Sequence, residues 1–287
     1  CMKLSGYHKA LGDEVVLKTD YGGLDAFDRV YISKVFTDTP VPEAALKLSN
    51  VSYGGTGFFY NKAPALSETV EHQMPDYHLY DGWVSEQLAA GKRPQEFSYY
   101  TDYSIGFLTR GCFRKCAFCV NQNYDRVVLH SPLSEFVDGS RKKICLLDDN
   151  FFGCPDWRRL LSELQATGKP FQFKQGLDER LLTDEKCAAL FGNRYDGDYI
   201  FAFDNVADAE LIEQKIQLAR KYTNAVMKFY CFCGFDRNDR WDEDFWRQDV
   251  FDLFTRIEIL MRNRCLPYVM RFARYTESPY RGVYVSV

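Results

Sequence analysis

Between Ser104 and Phe272 the chain alternates six short runs rich in β-branched and aromatic residues with stretches of helical periodicity, and this alternation restricts the fold more than any other feature. The runs are Ser104 to Arg110, Lys142 to Leu147, Pro170 to Gln175, Asp198 to Phe203, Ala225 to Phe232 and Leu266 to Phe272. Helices are expected from about Asp156 to Thr167, from Thr183, from Ala207 to Tyr222 and from Asp244 to Asn263. In the first of these, Leu160, Leu161 and Leu164 fall on one face. The second opens on Asp184-Glu185, acids suited to the positive end of a helix dipole. Repeated strand-helix units call for parallel strands covered by helices. A closed eight-unit barrel takes about 250 residues, more than this span holds, whereas six units fit. An α/β fold with a partial (β/α)6 barrel of the TIM type is therefore expected over residues 104–287.

Parallel barrels carry their sites on the loops at the C-terminal ends of the strands. The first such loop is Gly111-Cys112-Phe113-Arg114-Lys115-Cys116-Ala117-Phe118-Cys119, a C-x3-C-x2-C arrangement. Three soft thiolates on one short loop suit an iron-sulfur cluster or zinc. Structural zinc takes four ligands, commonly in two pairs, and the next candidates, His130 and Cys145, do not form a second pair. A 4Fe-4S cluster on three cysteines leaves one iron open, whereas clusters that only store or pass electrons are normally closed by cysteine. Buried, unligated cysteines are the remaining reading.

The spacing, with an aromatic residue just before the last cysteine, resembles the cluster loop of the radical S-adenosylmethionine (SAM) superfamily. The resemblance implies that Cys112, Cys116 and Cys119 hold a 4Fe-4S cluster and that the amino and carboxylate groups of SAM bind the open iron. It further implies reductive cleavage of SAM to a 5′-deoxyadenosyl radical that takes a hydrogen from the substrate, with a reductant such as flavodoxin or ferredoxin as partner. A partial (β/α)6 barrel is implied as well, in agreement with the count of units. The alternative is a noncatalytic iron-sulfur electron carrier or regulatory protein, which has no need of polar strand ends.

Those polar ends supply the candidate SAM shell. Asp148-Asp149-Asn150 follow the second run, where the family often receives the SAM amino group; the competing role is a capping turn before Pro155-Asp156. Lys174 and Gln175 end the third run, ahead of Gly176-Leu177-Asp178-Glu179-Arg180. Arg180 suits either a carboxylate clamp or an ion pair with Asp178 or Asp184. Asp204 and Asn205 end the fourth, as acceptors for ribose hydroxyls or as a helix N-cap. Phe118, by the resemblance, lies against adenine, and Arg114 and Lys115 shape the loop, their charge favouring a reduced cluster. Cys231 and Cys233 share one face of the fifth run, so both sulfurs can point into a barrel; core packing is the plainer reading.

Residues 1–60 read as a small α/β domain. Met2 to Gly12 has the pattern of a helix closing on glycine, Glu14 to Lys18 and Arg29 to Phe36 read as strands, and Glu43 to Leu48 as a short helix before Val51-Ser52-Tyr53. A helix with no strand before it fits a chain that has lost an initiating strand. Gly54-Gly55-Thr56-Gly57 reads as a tight turn, with an anion-binding nest as the alternative. Residues 61–103, broken by Pro64, Pro75 and Pro94, read as an irregular linker. The first domain resembles the Rossmann-like cobalamin-binding layer of one radical SAM class, and Met2 through Tyr80 resembles the leader of uncharacterised members. The D-x-H-x-x-G signature for cobalt is absent, with Gly6 at the Asp position before His8, so cobalamin is not expected.

The 46% hydrophobic content is ample for a core, and 287 residues allow one large or two smaller domains. Ten cysteines, three of them clustered, without a signal peptide point to reduced thiols and a cytoplasmic setting. No run approaches the roughly 20 apolar residues of a membrane span, so no membrane partner is expected. A net charge of −4 gives no global basic field, which disfavours nonspecific nucleic-acid binding while leaving an RNA substrate on a local patch open.

Overall fold

The computed structural model describes residues 1–287, and its chain divides into two compact units. The first holds Cys1–Ser104 with Val120–Asn123 and Ser131–Lys142. Its sheet is a parallel pair, β1 (Val30–Ser33) and β2 (Val51–Gly54), in register from Val30↔Val51 to Ser33↔Gly54. Helix α1 (Met2–Ala10) ends as expected, with the Gly12 amide donating to the Lys9 carbonyl and the Asp13 amide to the His8 carbonyl, both at 3.0 Å. His8 then ties helix to strand, its ring 2.6 Å from Asp13 Oδ2 and 3.0 Å from the Tyr31 hydroxyl. Residues 14–18 do not form a strand: Val16 is exposed between the half-buried Val15 and Leu17, but no neighbour supplies a ladder. Arg29 to Phe36 likewise shortens to β1, the part in ladder register with β2.

After β1 comes α2 (Glu43–Leu46) and after β2 comes α3 (Thr56–Phe59). The glycine turn at 54–57 thus leads into one helical turn. Its amides are spent within the chain, Gly57 N–H on the Lys34 carbonyl and those of Phe58 and Phe59 on the Gly55 carbonyl. Residues 61–103, expected as an irregular linker, carry α4 (Glu68–Glu71), α5 (Asp81–Ala89) and α6 (Ser98–Thr101) within this unit. Aromatic rings hold them. Trp83 lies 5.5 Å from Phe97 and 5.4 Å from Tyr100, and Tyr80 lies 5.0 Å from Tyr100. The buried Arg141 guanidinium donates to the carbonyls of Tyr77, Tyr100 and Thr101, joining the Tyr77 segment to α6 through one side chain.

The second unit holds Ile105–Cys119, Tyr124–His130 and Lys143–Val287, and the chain crosses into it within β3 (Tyr103–Gly106). The expected first run is split here into β3 and β4 (Thr109–Arg110), the latter antiparallel to β5 (Val128–Leu129). The other five runs form β6 (Lys143–Leu146), β7 (Phe171–Phe173), β8 (Tyr199–Ala202), β9 (Met227–Cys233) and β10 (Leu266–Arg271). They build two small sheets, β3-β6-β7 and β8-β9-β10, with parallel pairing at β6–β7, β8–β9 and β9–β10. A parallel bridge joins Leu177, past the end of β7, to Phe201 of β8. The whole is a mixed α/β fold with several small parallel sheets.

Helices α7 (Trp157–Ala166), α8 (Asp184–Phe191), α9 (Ala209–Arg220), α10 (Glu243–Arg262) and α11 (Arg281–Ser286) complete the unit. In α7 the leucines Leu160, Leu161 and Leu164 are all buried, as their shared face requires. Two starts are capped by the residue before them: Thr183 accepts the Lys186 amide and Asp242 the Phe245 amide. One long side chain fixes α10 to the strands. Arg256, 2% exposed, donates to the carbonyls of Phe203 and Phe232, each at 2.9 Å, and of Asp252 in its own helix. These are strand-end carbonyls that the ladder leaves unpaired. No helix is long and apolar enough to cross a membrane.

Candidate functional site

The cysteine loop leaves β4 and returns through β5, so an antiparallel clamp closes its base. Gly111 opens it at φ +94°, and a Cβ there would stand 2.6 Å from the Arg126 carbonyl oxygen and 2.7 Å from the Tyr124 ring. Only glycine tolerates both the backbone and the approach. Its amide donates to Asp149 Oδ2 at 2.8 Å. Inside the loop, the Cys119 amide donates to the Cys116 carbonyl at 2.9 Å, closing a turn between the second and third cysteines.

The polar residues after β6 hold this loop and the strand that leads into it. Asp148, 1% exposed, accepts the amides of Leu108 (3.2 Å) and Thr109 (2.7 Å) and the Thr109 hydroxyl (2.6 Å). Its carboxylate therefore occupies the break between β3 and β4, and burial pushes its pKa up to about 6. Asp149 takes the Gly111 amide. Asn150 is buried, and its side-chain amide donates to Cys112 Sγ at 3.3 Å and faces Asp178 Oδ2 at 3.5 Å. Neither Asp148, Asp149 nor Asn150 caps α7, which starts after Asp156.

Asp178, past the end of β7, gathers two guanidiniums. Arg114 of the cysteine loop reaches Oδ2 at 2.6 Å and Arg180 reaches Oδ1 at 2.7 Å, while Arg180 also pairs with Asp208 at 2.9 Å. Arg180 is thus in the ion-pair role, with Asp208 as its second partner in place of Asp184. Gln175 is exposed at the end of β7. Asp204 accepts the Phe232 amide at 2.9 Å, linking β8 to β9, and burial raises its pKa. Asn205 does cap, accepting the Ala207 amide at 3.0 Å. Phe118 packs on the β9 end, its ring 4.3 Å from that of Phe232 in a tilted contact and 6.0 Å from Phe235 edge to face.

The thiols share one electrostatic neighbourhood. Burial raises the Cys116 pKa, and the charges of Asp204, Cys119 and Cys112 push it the same way while Arg180 opposes them. No three His, Cys, Asp or Glu side chains converge as a ready-made metal-binding group. The chemistry of the donor set nevertheless fits an iron-sulfur cluster: three thiols on one loop, with N–H donors on Cys112 from the Asn150 side chain and, at 3.4 Å, from the Arg114 backbone. Asn150 Oδ1 lies buried beside them with no hydrogen-bond partner. A cleft of about 540 Å³ opens nearby, lined by Asp204, Phe235, Arg240, Asp249 and Arg256 among others.

Cys231 and Cys233 stand apart from this site. Along β9 they share the buried face with Met227 and Phe229, and the opposite face carries Tyr230 and Phe232, whose ring meets Phe118. The two thiols therefore point away from the cysteine loop into the core, where burial pushes both up to about 12. Three participants escaped the sequence reading: Arg114 as an anchor rather than a spacer, Glu179, 1% exposed with Oε1 unpartnered, and Arg256. The one local signal was the position of Asp178 and Arg180 just past a strand end; Glu179 and Arg256 carried none. Searches of protein families, curated proteins and solved structures found no match to the chain.

Proposed function

We propose that this chain is a radical SAM enzyme with a partial (β/α)6 barrel, in which Cys112, Cys116 and Cys119 hold a 4Fe-4S cluster that also binds SAM. The observation that carries the reading is the convergence of strand-end side chains on one cysteine loop: Asp149, Asn150 and Asp178 bond to it directly, and Asp204 acts on Cys116 through its charge. The parallel order of the strands and the Leu177–Phe201 bridge support the barrel. When bound, the cluster would supply the electron that cleaves SAM and so start hydrogen abstraction from a substrate.

The chain's own residues shape the surroundings. Arg114 and Arg180, both held on Asp178, keep positive charge beside the thiols, which favours the reduced form of a cluster. Phe118, Phe232 and Phe235 wall one side with apolar surface that excludes water. Asp204 and the cleft beside it offer polar contacts for SAM or substrate.

Anaerobic reconstitution with iron and sulfide is expected to load a cluster whose reduced-state EPR spectrum changes when SAM is added, and Cys116→Ala is expected to lose it. A loaded wild-type protein whose spectrum ignores SAM would favour a noncatalytic iron-sulfur protein instead.

A further inference from the structure

We propose that Asn150 is a positioning residue that seats Cys112 and raises the reduction potential of the cluster, and that Asp178 holds Asn150 in that role; the inference rests on the radical SAM reading above. The orientation of the Asn150 amide is set by its neighbours. Cys112 Sγ and Asp178 Oδ2 both accept, at 3.3 and 3.5 Å, so the NH₂ group must face them and the carbonyl must turn away. The consequence is visible in Oδ1, buried without a partner. A side chain that leaves one polar atom unsatisfied in order to present two donors is committed to those acceptors.

Asp178 closes the circuit. Its Oδ2 accepts Arg114 Nε at 2.6 Å, and the Arg114 backbone amide donates to Cys112 Sγ at 3.4 Å. Cys112 thus sits in a ring of hydrogen bonds, running from its sulfur through Asn150 to Asp178, on to Arg114 and back. The side chain of Asp178 is 6% exposed, so the anchor of the ring is withdrawn from solvent while Arg114 and Cys112 are half-buried. Donors aimed at a cluster thiolate stabilise the more negative, reduced state, and ligand-orienting partners of this kind affect both assembly and potential.

The test compares reconstituted wild-type protein with Asn150→Leu, which keeps the branching and removes both donors, and with Asp178→Asn, which keeps the Asn150 donors and weakens their anchor. Iron content, circular dichroism and the midpoint potential of the cluster are measured without SAM turnover. The expected result for Asn150→Leu is a native fold with a lowered potential, or a native fold that fails to hold iron; for Asp178→Asn, whose lost negative charge by itself raises the potential, the readout is iron content, expected to fall in a native fold. Full iron with an unchanged potential in Asn150→Leu overturns the inference while leaving the radical SAM reading intact. If Asn150→Leu does not fold, full iron content in natively folded Asp178→Asn overturns it equally. A wild-type chain that assembles no cluster overturns the reading itself and the inference with it.

Discussion

Glu179 is a carboxyl whose chemistry departs far from its type. It accepts the Ala202 amide at 3.3 Å through Oε2, leaves Oε1 unpartnered, and is pushed by burial, with the charge of Asp178 adding, from an ordinary 4.5 up to about 8. Below pH 4.5 both folded and unfolded chains hold its proton, and the stability linked to the group is fully present. Between 4.5 and 8 the unfolded chain ionises first, so that stability declines as pH rises. At about 1.4 kcal/mol per pH unit the loss reaches a few kcal/mol. Glu179→Gln is expected to remove this slope in urea titrations between pH 5 and 8 and to be more stable than wild type at pH 8; an unchanged slope would show that the carboxyl is ionised in the fold. None of this was legible in the sequence, where Glu179 is one of three consecutive charges. Asp148 gives the same lesson. Its donors come from residues about forty positions earlier, and a strand-end aspartate reads equally as a ligand or a cap until those donors are in place.

At the scale of elements, the sequence carried most of the second unit. The strand runs were legible because buried parallel strands are nearly continuous β-branched and aromatic sequence, α7 because its leucines share one face, and α8 to α10 because their acidic first turns are also local properties. What depends on a partner was not legible. Residues 14–18 have a strand's alternation and no neighbour, and the short helices of 61–103 are held by ring contacts rather than by propensity. The Arg256 contact is of this kind: nothing in the periodicity of α10 distinguishes an arginine aimed at strand carbonyls from one aimed at solvent. Arg256→Met leaves two strand-end carbonyls unpaired and should cost about 3 kcal/mol, read as a lower denaturation midpoint; a midpoint like that of wild type would mean that water replaces the guanidinium. In β9, alternation rightly put Cys231 and Cys233 on one face, but which face was a tertiary fact. Because that face is the core, Cys231→Ala and Cys233→Ala are expected to leave the iron content of reconstituted protein unchanged, and loss of iron in either would place a thiol at the cluster.

For the whole molecule, the cysteine loop is the point where the fold and the proposed chemistry meet. The sequence supplied three thiols at the end of a strand; the structure adds the side chains from β6, β7 and β8 that bond to the loop or act on it through their charge. Their arrangement argues for a reacting centre rather than a passive carrier, because a closed electron-transfer site needs no ring of carboxylates and guanidiniums at the strand ends. The most direct measurement is 5′-deoxyadenosine release by the anaerobically reconstituted chain on adding dithionite and SAM. The account predicts release that requires the reductant and disappears in Cys116→Ala. A full cluster with no 5′-deoxyadenosine, or release that survives the substitution, would contradict it.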